Sequence, residues 1–257
     1  MNNLLGAPAY SDFQIRAKYF DNQSKWVMNE NINYIPYKYF SYKENLGDVL
    51  DAGGGTGFLS YYLTKKIPAS SITIVDASMN MLQRAKQRIP HAIIINSSIE
   101  SYCNINSQVF DTILARQIFH YVDDVDKVIV MLKEKLKDSG LLYVGQFVVP
   151  DIDSDRWHEE FIKKISKNRK RSFTIDHFLN LFTKNGMCIN KLEIVDYEED
   201  IRSFYKRRTN DIFSYKELLE ASKRSLNDNV IKNLKIRITD ENLFFTVQFC
   251  HLILSKK

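Results

Sequence analysis

The chain predicts an α/β fold, an open and mostly parallel sheet with helices on both faces. Three observations carry this reading. Between Leu46 and Pro150, short runs rich in Val, Ile and Leu alternate with amphipathic helical stretches. The runs are nearly continuous rather than alternating, as in strands buried on both faces. A cluster of glycines, Gly53, Gly54, Gly55 and Gly57, stands where the first run gives way to the first helical stretch, which is where such sheets bring the backbone against a ligand.

In chain order, residues 1–45 are aromatic-rich and lack strand alternation. Ser11 or Asp12 can cap a helix that carries Phe13, Ala17 and Phe20 on one face. Tyr34, Tyr37, Tyr39, Phe40 and Tyr42 follow, interrupted by Pro36, and the segment reads as a helical cap over the active site. Residues 46–257 form the main domain. Strands are predicted over 48–52, 71–77, 91–96, 111–115 and 140–149, and helices over 57–66, 78–89 and 124–138. The last helix presents Val125, Val128, Met131, Leu132 and Leu136 on one face, and Gly140 closes it. Repeated strand–helix units imply a parallel sheet. After Pro150 the pattern breaks. Helices are expected over 155–170 and 174–185, the second closed by Gly186, then a strand over 190–197. A helical excursion covers 197–240, and a long apolar strand covers 244–255. No internal repeat or low-complexity linker appears, so one compact domain is expected.

Composition narrows the class. With 257 residues, 44% hydrophobic and 26% charged, the chain is an ordinary globular sequence that can bury a core without disulfides or metals. Cys103, Cys188 and Cys250 are the three cysteines; none forms a CxxC pair, which excludes a disulfide framework or zinc site and favours a reducing compartment. The N-terminal MNNLLGAPAYSDF has neither a basic n-region nor an apolar h-region, and no run reaches the roughly eighteen apolar residues of a membrane span. A cytoplasmic location is therefore expected. The net charge of +5 permits a nucleic-acid partner without demanding one. The basic run Lys163–Arg171 lacks the interleaved aromatics that base stacking prefers and reads as a solvated helix end, so no nucleic-acid partner is expected. Asp151, Asp153 and Asp155 mimic the start of a calcium loop but lack its later Gly and Glu, His158-Glu159-Glu160 is not HExxH, and no metal is expected.

The strongest signal is Val49-Leu50-Asp51-Ala52-Gly53-Gly54-Gly55-Thr56-Gly57. Glycines allow a sharp turn and a close ligand, and the following helix start offers free N–H groups. Asp76 ends the second strand, where a carboxylate can accept both hydroxyl hydrogens of a ribose. Together they point to an adenosine-type cofactor. The dinucleotide fingerprint is GxGxxG, but Phe58 occupies the place of its last glycine. The loop here is GxGxG with Asp51 just before it. That anion repels a pyrophosphate and suits a ligand carrying an ammonium and a sulfonium.

On these residues the chain resembles the class I S-adenosylmethionine-dependent methyltransferases, in the small-molecule branch similar to the ubiquinone/menaquinone C-methyltransferases. VLDAGGGTG is similar to the family's first motif and ITIVDASMNML to its second. FDTILARQIFHYVDDV and LKEKLKDSGLLYV resemble its fourth- and fifth-strand blocks. The resemblance implies a Rossmann-like seven-stranded sheet with an antiparallel last strand, S-adenosyl-L-methionine as cofactor and a small-molecule acceptor. It implies cofactor contacts from Tyr19, Asp51, Gly53, Gly54, Gly55, Gly57, Asp76, Ala77, Met81, Ser97, Ser98, Ile99 and Arg116, with Leu82 near the adenine. The family often has Asp after the third strand, where this chain has Asn96-Ser97-Ser98-Ile99. There Ser97 can accept from the adenine amino group, or backbone and Ile99 packing hold the ring. No Asn/Asp-Pro-Pro-aromatic tetrad follows the fourth strand, which argues against base-amine or glutamine-amide substrates.

His120 follows the fourth strand and is the candidate catalytic residue, either as a general base or as a wall of the pocket; methyl transfer from a sulfonium needs alignment more than proton removal. No partner to orient its imidazole is evident in the sequence. Arg116 can pair with an acidic substrate or a nearby carboxylate. Tyr10, Phe13, Tyr19 and Trp26 can enclose a sulfonium by cation–π contact, and Arg207 and Arg208 lie in the excursion. Other readings are a non-methyl reaction on the same cofactor (carboxymethyl transfer or sulfonium-assisted catalysis), a nucleotide-dependent oxidoreductase, and a non-catalytic cofactor-binding module. The acceptor and the oligomeric state stay open.

Overall fold

The computed structural model describes residues 11–166, 168–207 and 212–257, Ser11 and Asp12 by backbone only; Tyr10 and Arg208 lie outside the described residues. Helices α1 (Ser11–Arg16) and α2 (Phe20–Gln23), each followed by a 3₁₀ turn (Ala17–Tyr19, Lys25–Met28), lead into α3 (Glu30–Phe40). Asn29 caps α3 by accepting the Ile32 N–H. Pro36 lies inside α3 rather than interrupting it. The ring removes one helix bond, and burial of Ile32, Ile35 and Phe40 carries the helix through.

Then β1 (Asp48–Ala52), α4 (Phe58–Thr64), β2 (Ser71–Asp76), α5 (Met79–Arg88), β3 (Ile93–Asn96), α6 (Ile99–Ile105), β4 (Phe110–Arg116), α7 (Val125–Glu134) and β5 (Leu136–Val148) alternate. The short α6 is not announced by the pattern. α7 stops before its predicted limit of 138, and Gly140 lies within β5 instead of closing the helix. The sheet takes over because Phe110 donates to the Lys135 carbonyl and pairs with Leu136. The chain continues through α8 (Ile152–Ile165), α9 (Ile175–Lys184), β6 (Met187–Asp200), α10 (Ile201–Lys206), α11 (Tyr215–Arg224), α12 (Asp228–Asn233), β7 (Arg237–Ile238) and β8 (Leu243–Lys256). α8 starts early because the Asp151 carboxylate accepts the N–H groups of Asp153 and Ser154. β6 outruns its predicted 190–197 because β8 pairs along all of it; the helical excursion therefore begins at Ile201. None of these helices is long and apolar enough to cross a membrane, among the described residues.

The sheet order is β3-β2-β1-β4-β5-β8-β6, with the two-residue β7 on β8. β1 to β5 are parallel, and β8 is antiparallel to both its neighbours, as expected of the last strand. Alternation along each strand divides the core. Leu50 and Ala52, Ile113 and Ala115, Leu142 and Val144 pack with α6, α7 and α9. Val49, Leu114 and Tyr143 face the other way, with Phe40 of α3 and Leu59 and Leu63 of α4. The chain order reverses between β1 and β4, so a crevice opens beyond their carboxyl ends.

The N-terminal segment is fastened to this crevice. Asp21 accepts from Thr56 Oγ1 at 2.7 Å and pairs with Arg88 at 2.7 Å, and all three side chains are largely sealed from solvent. Gln14 holds Asn80 through its amide oxygen and its backbone carbonyl.

Two histidines are stored neutral in the core. Burial holds His251 at about 3 and His158 well below the ordinary histidine range. Each leaves one ring nitrogen without a partner. In the unfolded chain both return to about 6.5. Between those values the unfolded chain binds the extra protons, so stability is complete above pH 6.5 and is lost as pH falls toward 3. With His120 buried and neutral as well, urea unfolding should give about 2 kcal/mol less stability at pH 6 than at pH 7.5; equal stability at the two values would contradict this assignment.

Candidate functional site

The crevice is a cavity of about 210 Å³. Its floor is the turn after β1. Gly53, Gly55 and Gly57 sit at φ +65°, +54° and +68°, the left-handed region that side chains resist. A Cβ on Gly55 would meet nothing within 4 Å, since that glycine faces the open cavity; a Cβ on Gly54 would strike the Asp51 carboxyl at 2.7 Å. The turn thus leaves room for a ligand against its backbone.

Two carboxylates flank it. Asp76, at the end of β2, accepts the Gly55 N–H at 2.9 Å through one oxygen and the Ser78 N–H at 2.8 Å through the other. Asp76 lines the cavity, and each oxygen keeps a lone pair for a further donor. Burial, with a push from Asp51, lifts its carboxyl to about 6. Asp51 is buried behind the turn and accepts from Ser60 at 2.5 Å. Burial raises it, while Ser60 and Arg116 draw it back.

Of the residues expected at a cofactor, Asp51, Gly53, Gly54, Gly55, Asp76, Ala77, Met81, Ser97, Ser98, Ile99 and Arg116 line this cavity. Gly57 does not; it caps α4, and a Cβ there would press on Ala85 and Ile74 at 3.1–3.2 Å, so its place belongs to helix–sheet packing. Tyr19 does not either. It sits in a 3₁₀ turn, 51% exposed, with its ring beside Lys18. Of the other cap aromatics, Phe13 and Trp26 line the wall, and Phe20 joins them. Leu82 is buried against α5's own core neighbours. Ser98 caps α6 by accepting the Ser101 N–H. Arg116 donates to Asn33 Oδ1 at 2.8 Å and lies over Trp26 at 5.1 Å, so it ties the sheet to α3.

The loop after β4 completes one wall. Gln117 is held at φ +60°, a conformation that costs a non-glycine residue on the order of 1 kcal/mol. His120 is buried, lines the cavity, and has an orienting partner that its sequence neighbourhood hides: Gln146 of β5, whose Nε2 lies 2.9 Å from His120 Nδ1. The Phe147 carbonyl and Gln117 Oε1, each 3.3 Å from the same Nε2, mark that atom as the donor. His120 Nδ1 is therefore the acceptor and Nε2 carries the proton. Burial, aided by Arg169, depresses its pKa well below 6.5, so the ring is neutral at pH 7.

The basic run contributes more than a solvated helix end. α8 stops at Ile165, and the loop beyond it packs under the β4 loop. Lys170 N–H donates to the His120 carbonyl, Arg171 donates to the Val122 and Asp123 carbonyls, and Arg169 reaches the cavity wall. Glu199 and Arg207, bonded at 2.8 Å and nearly sealed from solvent, close the far side with Phe204. Of these, the sequence singled out only Arg207.

Residues 50–144 match the family described as methyltransferase domain. A malonyl-[acyl-carrier protein] O-methyltransferase from Priestia megaterium is 29% identical over 140 residues, which cover 52% of this chain and 49% of that protein. One from Halalkalibacterium halodurans is 31% identical over 104 residues, 38% of each chain. The chain spans half or less of the length of these two curated relatives. The YcgJ protein from Bacillus subtilis shares the fold with a TM-score of 0.77 at 17% identity, over 89% of this chain and all of that one.

A direct check of the wall geometry is the His120 tautomer. Long-range proton–nitrogen NMR at pH 7 should show a neutral ring protonated at Nε2, and Gln146→Leu should release that preference. A ring protonated at Nδ1 in the unaltered protein would overturn the assigned hydrogen-bond direction.

Proposed function

We propose that this chain, which carries a class I S-adenosylmethionine-dependent methyltransferase domain, transfers a methyl group from S-adenosylmethionine to an O, N or C atom of a small molecule. The observation that carries the reading is the pairing of Asp76 with the open face of Gly55, with Asp51 behind them. Asp76 takes the ribose hydroxyls on its two free lone pairs. The two carboxylates set a negative field that favours a cation and disfavours a pyrophosphate. Ser97 and Ile99 take the adenine, and Met81 lies beneath it. When bound, S-adenosylmethionine supplies an activated methyl group on a sulfonium.

The chain's own part is alignment and exclusion of water. The N-terminal cap brings Phe13, Phe20 and Trp26 to the cavity, and the excursion from Ile201 adds Phe204 and Arg207. His120 serves as a donor rather than a base, because its one lone pair is engaged by Gln146. That favours an acceptor atom already nucleophilic on arrival, and the O-methyltransferase names of the two relatives are in keeping with it.

Calorimetry should show S-adenosylhomocysteine binding at micromolar levels and NAD binding far more weakly; the reverse order would sink the proposal. Asp76→Ala should weaken S-adenosylhomocysteine at least about tenfold, since charge-assisted bonds are each worth roughly 1.5–3 kcal/mol. In the unaltered protein, affinity should fall as pH drops through about 6, where the carboxylate takes up a proton. An Asp76→Ala protein with full affinity would remove Asp76 from the site.

Steady-state kinetics separate the roles of His120. As a donor in the wall, His120→Ala should raise the acceptor KM and largely keep kcat. A fall in kcat of about 10²–10⁴-fold at constant KM would identify a general base instead.

A further inference from the structure

We propose that the end of the cavity remote from Asp51 and Asp76 binds an anionic group of the acceptor, a carboxylate or a phosphate, with Arg169 as its counter-ion. The proposal rests on the reading that the acceptor occupies this end. It names the acceptor's class: a small, largely apolar molecule bearing one anionic group.

The argument begins with the partners of the four arginines that line the cavity. Arg116 donates to Asn33 and lies over Trp26. Arg207 pairs with Glu199 at 2.8 Å and lies over Phe204 at 4.4 Å. Arg16 lies against Phe13 and Phe20 near the cap. Arg169 differs. Its Nη2 is sealed from outside solvent with no hydrogen-bond partner. Its Nε reaches only the Arg171 carbonyl, at 3.5 Å. Asp155, whose charge bears on it, accepts from Ser172 at 2.5 Å, and Glu199 is held by Arg207. Among the described residues no carboxylate forms an ion pair with Arg169. A guanidinium stays charged even when partly buried, and an N–H group of it sealed without an acceptor is costly until an anion supplies one.

Two neighbouring side chains on the same wall present donors, beside the Tyr121 and Ser166 hydroxyls that also line it. Gln117 Nε2 is buried without a partner, and its backbone is held in the strained left-handed region that aims this loop. His120 carries its proton on Nε2 by the argument above. Two unpartnered groups nearby can accept, Gln146 Oε1 and His158 Nδ1, and both belong to side chains that do not line the cavity. Around these donors the wall is apolar, formed by Phe147, Ile162, Ile165, Phe204 and Val122. Convergent donors in an apolar surround select an anion on an apolar body. A neutral amide of the same shape would leave the Arg169 charge unanswered. The cavity thus offers negative charge at the turn after β1 and positive charge across the sheet, beyond β5.

The test uses the full chain saturated with S-adenosylhomocysteine, titrated with phenylacetate, phenyl phosphate and phenylacetamide. At least one anion should bind about tenfold or more tightly than the amide, and the tighter anion tells carboxylate from phosphate. Arg169→Gln should bring that ratio to within about twofold while S-adenosylhomocysteine affinity is kept. Arg169→Lys should retain part of the ratio, and it decides the matter if Arg169→Gln does not fold. The proposal is overturned if the amide binds as well as both anions, if none of the three binds saturably at millimolar concentration, or if Arg169→Gln keeps the full ratio. Failure of S-adenosylhomocysteine itself to bind would defeat the methyltransferase reading instead, and the same three titrations on the free protein would still decide the anion preference.

Discussion

The bond from the Gly55 N–H to the Asp76 carboxylate joins the two loops on which the site is built. One end lies in the turn after β1, where three glycines adopt left-handed backbone. The other lies at the last residue of β2, whose second oxygen starts the path into α5 through Ser78. Ser78 in turn caps α5. A single carboxyl therefore sets the separation of two strand ends and the entry of a helix. The same turn carries Thr56, whose hydroxyl and carbonyl are bonded by Asp21 and Arg88. The N-terminal segment is thus positioned by the turn rather than resting loosely above it, and its aromatic side chains inherit their placement from the sheet.

The polar groups of the cavity are not evenly mixed. Asp51 and Asp76 lie at the β1 and β2 ends, while Gln117, His120 and Arg169 present donors near the loops after β4 and α8, where Glu199 is already paired with Arg207. This separation follows from topology. The sheet order places β4 and β5 between the Asp76 side and β6, so segments distant in sequence supply opposite walls. A cation and an anion entering such a cavity are aligned by its field before any specific contact forms.

How much of this the sequence disclosed depends on how local each signal is. The strands β1 to β5 were legible because doubly buried strands need continuous apolar runs. The glycines, Asp51 and Asp76 were legible because one turn and the next strand end hold them all. Tyr19 was expected from the resemblance alone, and in the structure it sits in the 3₁₀ turn over Ala17–Tyr19, half-exposed and off the cavity. Gly140 looked like a helix stop until the sheet claimed Leu136. Arg169 was hidden in a run of charge that reads as solvated; only the packing of that loop beneath Val122 and Asp123 turns one member inward. Gln146 was hidden inside an apolar strand, where its value lies in a partner 26 positions earlier.

The position of β8 has a consequence for how the chain reaches this structure. Among the described residues β8 is the only strand beside β6 in the sheet order, and it also covers the free edge of β5. β6 is made first and must wait, across the whole of α10 to α12, for its partner. Until β8 arrives, two long strand edges stand unpaired, one of them carrying the exposed Leu192. Pairing of such sequence-distant strands is slow, and open edges invite intermolecular pairing. The vulnerable stage in the life of this protein is therefore early, before the sheet closes, and conditions that lengthen it would lower the yield of folded chains without altering the stability of those that succeed.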